Sequence, residues 1–179
     1  YPVEYFTSLL NSEAGKSGEK ILNIMLELAR LKISVLPSDI NFSNEGFTVE
    51  KNNDVFCIRS GLANIKNIGF ELAKFIVKDR INNGKYESIF NFFSRMDDKF
   101  INKRQVEFLA MAGVFDGVFK DRSAIFNSAA KLVALSQDSQ KDRDSSQQGL
   151  FGNELNSQNF TNILKEAIPW SNRELLINM

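Results

Sequence analysis

The residues with a chemical use sit at two glycine-bearing turns and in one peptide near the C-terminus. Lys66-Asn67-Ile68-Gly69 follows Leu62 and Ile65, which lie at helical spacing, and precedes an apolar stripe at Leu72, Ala73, Ile76 and Val77. Two short helices joined by such a turn form a helix-hairpin-helix pattern. Free N–H groups at the start of its second helix, with the helix dipole behind them, favour a phosphate without reading any base. The same residues also fit an ordinary αα-hairpin. The pattern then recurs. A helix with Val106, Leu109 and Ala110 is closed by Ala112-Gly113-Val114-Phe115, Asp116-Gly117 turns the chain, and a further helix starts near Arg122.

Two such units commonly pair with pseudo-symmetry, one hairpin for each strand of a duplex. The candidate phosphate contacts are the backbone at Ile68, Gly69 and Phe70 and at Gly113, Val114 and Phe115. Lys66, Lys74, Lys103, Lys120 and Arg122 are the candidate cations, and Asn67 takes the left-handed place that glycine more often holds in such a turn. Phe115 stands where the second unit would carry its second glycine, which weakens that contact relative to the first.

Charge supports this placement. Lys+Arg and Asp+Glu are both 22 in 179 residues, so the total points to no partner. Counted along the chain, residues 1–50 carry 4 basic and 7 acidic groups, residues 51–135 carry 14 and 9, and residues 136–179 carry 4 and 6. The basic excess therefore coincides with the two hairpins. A single Cys and no His exclude a disulfide framework and a Cys/His zinc site of the usual spacing, and Cys57 in its apolar run reads as a small buried hydrophobe. Asp97 and Asp98 are neighbours that point different ways, which suits a solvated loop rather than a two-metal site. Catalytic residues, metal ligands and cofactors are accordingly expected to be absent from this chain. No apolar run reaches membrane-spanning length and no signal peptide is visible, so a cytoplasmic location is expected.

The elements that must position the hairpins are mostly helical. Pro2 suits the first turn of a helix whose apolar face is Val3, Phe6, Leu9 and Leu10, and Ile21, Ile24, Met25, Leu28 and Leu31 give a second. Ile33 to Pro37 reads as a short extended piece, and 47–49 with 55–58 as a small β-hairpin. Ile89, Phe90, Phe92 and Phe93 read as core bulk, and Asn102 as a helix cap. Residues 136–148 are polar and nearly free of apolar groups, the composition of a flexible tether. At its end Gln147 precedes Leu150-Phe151, an apolar pair that either docks into a partner's pocket or folds back on the domain. Ser171-Asn-Arg-Glu174 has the form of a capping box. The fold expected is mainly α: two helices and a β-hairpin, a tandem helix-hairpin-helix domain, and a partly disordered C-terminal tether. The chain opens without Met and stops just after a helix start, as a piece of a longer protein would.

Several of these stretches, in order, resemble the alpha subunits of bacterial DNA polymerase III. Residues 1–13 and 33–41 resemble the end of that family's fingers, 61–69 its first hairpin element, and Asn102-Lys-Arg with Ala112 to Asp116 its second. Gln147 to Gly152 is similar to its internal clamp-binding motif, and Ile168-Pro-Trp170 with Glu174-Leu-Leu176 to the stretch before its OB-fold domain. The resemblance implies three parts: 1–45 as the end of the fingers, 46–135 as the tandem DNA-binding domain, and 136–179 as tether and lead-in. It implies duplex DNA, the sliding clamp and other subunits of the replicative holoenzyme as partners. The clamp would bind through Gln147, Leu150 and Phe151. The family's catalytic carboxylates, and the Mg2+ they hold, would precede Tyr1, which leaves this fragment of a DNA-directed DNA polymerase inactive alone. A standalone helix-hairpin-helix protein of repair or recombination is the alternative.

Overall fold

The computed structural model describes residues 1–16, 18–97, 99–144 and 161–164, and the side chains of all of these except 138–144. Six α-helices, a 3-10 turn, a further helical turn at 161–164 and a three-stranded sheet are found among them. Asp98, Gln147, Leu150, Phe151 and the capping box expected at 171–174 lie outside the described residues.

α1 (Pro2–Glu13) starts with proline in its first turn, where no N–H is left unpaired, and α2 (Gly18–Arg30) returns beside it. α2 ends by a left-handed residue, Lys32 at φ 57°. The Ile33 N–H there bonds to the Leu28 carbonyl at 2.9 Å, satisfying a carbonyl that the helix end leaves open. Strands β2 (Thr48–Asn52) and β3 (Val55–Arg59) form the expected hairpin. Asn53 and Asp54 both have positive φ at its two-residue turn, the twist that matches two antiparallel strands. The extended piece after α2 adds a strand, β1 (Val35–Leu36), parallel to β3. Val3, Leu10, Ile24, Leu28, Phe47 and Ile58 form the small core between these helices and the sheet. Cys57 is buried, as expected.

A larger core holds α3 (Phe70–Asn83), α4 (Ile89–Arg95), α5 (Lys103–Met111) and α6 (Arg122–Asp144) together. Its centre is aromatic: Tyr86, Phe93 and Phe115 each pack around Phe92, with ring centroids 5.0–5.2 Å apart, edge to face. The Phe cluster is therefore packing. Ser88 caps α4, and Asn102 with Gln105 forms a reciprocal capping box on α5.

The loop from Asp39 to Gly46 straps the two cores and both hairpins together. The Ile40 N–H bonds to the Val114 carbonyl, Leu62 N–H to Asn44 and Ala63 N–H to Glu45, all at 2.9 Å. Arg80 from α3 donates to the carbonyls of Ile40 and Ser43 at 2.9 and 2.8 Å. Asn41 exchanges two 2.8 Å hydrogen bonds with the Tyr86 backbone, and Asn11 does the same with Phe47.

Two expectations need correction. The first unit's leading helix is only a single 3-10 turn at Leu62–Asn64. A β-carbon at Gly61 would lie 2.4 Å from backbone atoms of Glu45 and Gly46, so the strap presses on the chain where a longer helix would begin. The polar stretch from 136 does not start as a tether, because α6 runs on to Asp144. Ser, Gln, Asp, Lys and Arg lower apolar content without breaking a helix, and Ser136 is itself buried with its hydroxyl on the Val133 carbonyl. Beyond it, residues 161–164 return to this core. Leu164 is buried, and the Ser128 hydroxyl donates to the Ile163 carbonyl at 3.2 Å.

Candidate nucleic-acid interface

Hairpin one is built to leave backbone donors open. Asn67 adopts φ 63°, and the Ile68 N–H bonds back to the Ile65 carbonyl at 3.0 Å. Ile68 then drops its side chain into the core and anchors the turn. Gly69 is the N-cap of α3, with extended backbone and no side chain to accept from the first helical turn. The first-turn amides of a helix have no partner within it, so those of α3 wait for one from outside. Gly69 is not demanded by the fold: its φ is −74°, and a β-carbon there would meet nothing within 4 Å. What its lack of a side chain does achieve is access to those amides for an approaching anion.

The surroundings of this turn are basic. Lys66 and Lys74 are exposed, and Lys66 Nζ lies 6.0 Å from the centre of the Phe108 ring on α5. That contact brings α5 beside hairpin one, with exposed Arg104 one turn before Phe108. Sequence reasoning missed Arg104, and it missed Lys78, which is exposed one turn beyond Lys74. The signal for Lys78 was its i+4 spacing on α3. Glu71 is the acidic residue of the α3 first turn, and it is exposed. Phe70 is 59% exposed and helps to wall a groove of about 730 Å3 between hairpin one and the α1–α2 layer, with Met25, Phe47, Lys66 and Asn67.

Hairpin two closes on itself. Gly113 is left-handed at φ 71°, its N–H bonds to Ala110 at 3.0 Å, and the Val114 N–H bonds to Leu109 at 3.2 Å. This is a Schellman C-cap of α5, and it spends both amides inside the turn. Val114 and Phe115 are buried. Arg122 is not a free cation: its guanidinium grips Asp116 with bonds of 2.5 and 2.9 Å and reaches the Met111 carbonyl. The Asp116 hydrogen bond holds its pKa above the ordinary arginine value. A β-carbon on Gly113 would sit 2.3 Å from Arg122 Nη2, so the glycine is there to let that side chain cross. The start of α6 is capped as well, with the Ala124 N–H donating to Asp121 Oδ1 at 3.0 Å. The amides of Gly113 and Val114 and the Arg122 guanidinium, all expected to face a phosphate, are thus engaged within the turn itself. Lys120 stays exposed there, and Lys103, at the start of α5, lies 3.5 Å from Glu107.

Other members of the basic excess are also engaged internally. Arg59 pairs with Glu50 at 2.7 Å, whose carboxyl pKa is held down by that hydrogen bond, and Arg95 pairs with Asp79 and lies over Tyr86. Burial pushes the pKa of Arg80 down as it ties α3 to the strap. Among the described residues no cluster of His, Cys, Asp and Glu is arranged to hold a metal ion, and no helix is long and apolar enough to cross a membrane.

Comparison with known proteins agrees with this geometry. Residues 32–125, more than half of the chain, match the family described as the helix-hairpin-helix motif. The DNA polymerase III subunit alpha of Caulobacter vibrioides is 34% identical over 153 residues, which is 86% of this chain and 13% of the relative. That of Aquifex aeolicus is 37% identical over 152 residues, 85% of this chain and 12% of the relative, and that of Thermus aquaticus is 32% identical over 151, covering 84% and 12%. The chain thus spans about an eighth of the length of these curated relatives. It belongs to the helix-hairpin-helix family, and over most of its length it is similar to one segment of the DNA polymerase III alpha subunit.

Proposed function

We propose that this segment holds double-stranded DNA by its backbone, without reading sequence, as part of a bacterial replicative DNA polymerase working in the cytoplasm. The observation that carries the reading is the uncapped start of α3 behind the exposed Lys66–Gly69 turn. A phosphate there accepts from the first-turn amides and gains the positive end of the helix dipole, while Lys66, Lys74 and Lys78 supply neutralising charge. None of these groups reaches a base edge by necessity, so affinity should be indifferent to sequence. The relatives carry polymerase names, and nucleotidyl transfer, with its Mg2+, would belong to residues outside this chain. Gln147, Leu150 and Phe151 are proposed, on sequence resemblance alone, to dock into the sliding clamp, and further holoenzyme subunits would be partners of the whole polymerase.

The test is duplex binding across a salt series. Affinity should fall steeply with salt, and Lys66→Gln should reduce the log–log slope by about 0.9, one phosphate contact. A slope near zero would overturn backbone binding. For the peptide, the chain is titrated against a purified bacterial clamp with and without alanine at Gln147, Leu150 and Phe151. Binding lost in the triple variant supports the docking role, and no binding by the unaltered chain at tens of micromolar, weaker than about 6 kcal/mol, ends it.

A further inference from the structure

Phe70 is the feature that phosphate binding does not explain. It occupies the first helical position after Gly69, beside the open amides, yet its ring is 59% exposed. Phe70, Lys74 and Lys78 recur at every fourth residue along the outer face of α3, and Lys66 lies on the hairpin before them. The surface therefore sets an apolar ring among cations and free N–H donors. A nucleic-acid strand has the complementary character, because it alternates anionic phosphates with the largely apolar faces of its sugars. With a phosphate at the α3 amides, the neighbouring sugar is the group that falls within reach of the ring.

We propose that Phe70 lies against a deoxyribose of the bound strand and makes hairpin one selective for DNA over RNA duplexes. The inference rests on the backbone-binding reading above and adds to it the class of sugar. Deoxyribose presents a C2′ methylene, which gains by leaving water against an apolar ring. Ribose presents a 2′-hydroxyl, and a phenyl ring offers that hydroxyl no comparable hydrogen bond in exchange for its water. The wider, shallower minor groove of RNA also moves the sugars away from a surface fitted to B-form spacing.

The experiment measures binding of the full 179-residue chain to DNA and RNA duplexes of one sequence at matched salt. The unaltered chain should prefer DNA by about tenfold. Phe70→Ala should weaken DNA binding by about fivefold, leave RNA binding and the salt slope unchanged, and so erase most of the preference. Phe70→Leu should keep most of it. An unchanged DNA-to-RNA ratio in Phe70→Ala, or equal losses on both duplexes, would overturn the sugar contact while leaving backbone binding in place. Failure of the unaltered chain to bind either duplex would instead overturn the backbone reading, and the sugar contact with it. An unchanged melting temperature in Phe70→Ala shows that the loss is one of contact and not of folding.

Discussion

At hairpin one the left-handed residue is Asn67 and the buried apolar residue after it is Ile68; at hairpin two Gly113 and Val114 hold the same places. The third place separates them. Gly69 is exposed with empty space where a side chain would go, and α3 begins at once. Phe115 is 1% exposed in the aromatic core, and six more residues pass before α6 begins at Arg122. The same local bend therefore yields an open row of amides in one case and a closed cap in the other. A turn's geometry does not decide whether it binds; the residue that follows decides whether donors are covered from within.

The largest effect that would break this comparison lies at the third position. Phe115→Ala removes a ring in edge-to-face contact with Phe92 and should cost about 3–5 kcal/mol in urea unfolding. Phe70→Ala should stay within about 0.5 kcal/mol, as an exposed site does. Similar losses at both positions would mean that the two turns are equally structural.

Next comes the left-handed position itself. Asparagine is the residue hairpin one tolerates there, so transplanting it tests whether conformation alone matters. Gly113→Asn should destabilise by about 1–3 kcal/mol even though Asn accepts positive φ, because its β-carbon would collide with the Arg122 guanidinium and push it off Asp116. Asn67→Gly should change stability by less than about 1 kcal/mol, in either direction, since Asn67 is exposed and its positive φ suits glycine as well. A harmless Gly113→Asn would remove the Arg122 argument.

These contrasts also mark what could be read from sequence. Pro2, Asn102 and the apolar periodicities announced the helices, because those signals act within one turn of the chain. The positive φ at Asn67 and the buried places of Phe92 and Phe93 followed in the same way. The clustering of positive charge was legible too, but not its use. Arg59, Arg80, Arg95 and Arg122 all count toward the basic excess, and each is held by a carboxylate or a backbone carbonyl contributed from elsewhere in the fold. Partner choice depends on tertiary approach, which a charge count does not contain. The extended piece at Ile33 to Pro37 was legible, but its pairing with β3 and the truncation at Gly61 were not, since both are set by contacts with residues many positions away.

The smallest effect separates the two uses of a helix start most cleanly. Glu71, in the first turn of α3, favours the helix through its dipole but repels a phosphate at the same amides. In a helix that serves only the fold, removing that charge has one consequence, a loss of stability. In a helix start that holds an anion it has two, of opposite sign. Glu71→Gln should therefore lower stability by about 0.3–1 kcal/mol and at the same time tighten duplex binding by about two- to fivefold at low salt, with the gain fading as salt rises. Asp121→Asn at α6 supplies the contrast: its side-chain oxygen still caps Ala124, so it should cost a comparable few tenths of a kcal/mol without any gain in DNA affinity. A gain at α6 equal to that at α3 would show that general surface charge, rather than the open turn of hairpin one, governs binding.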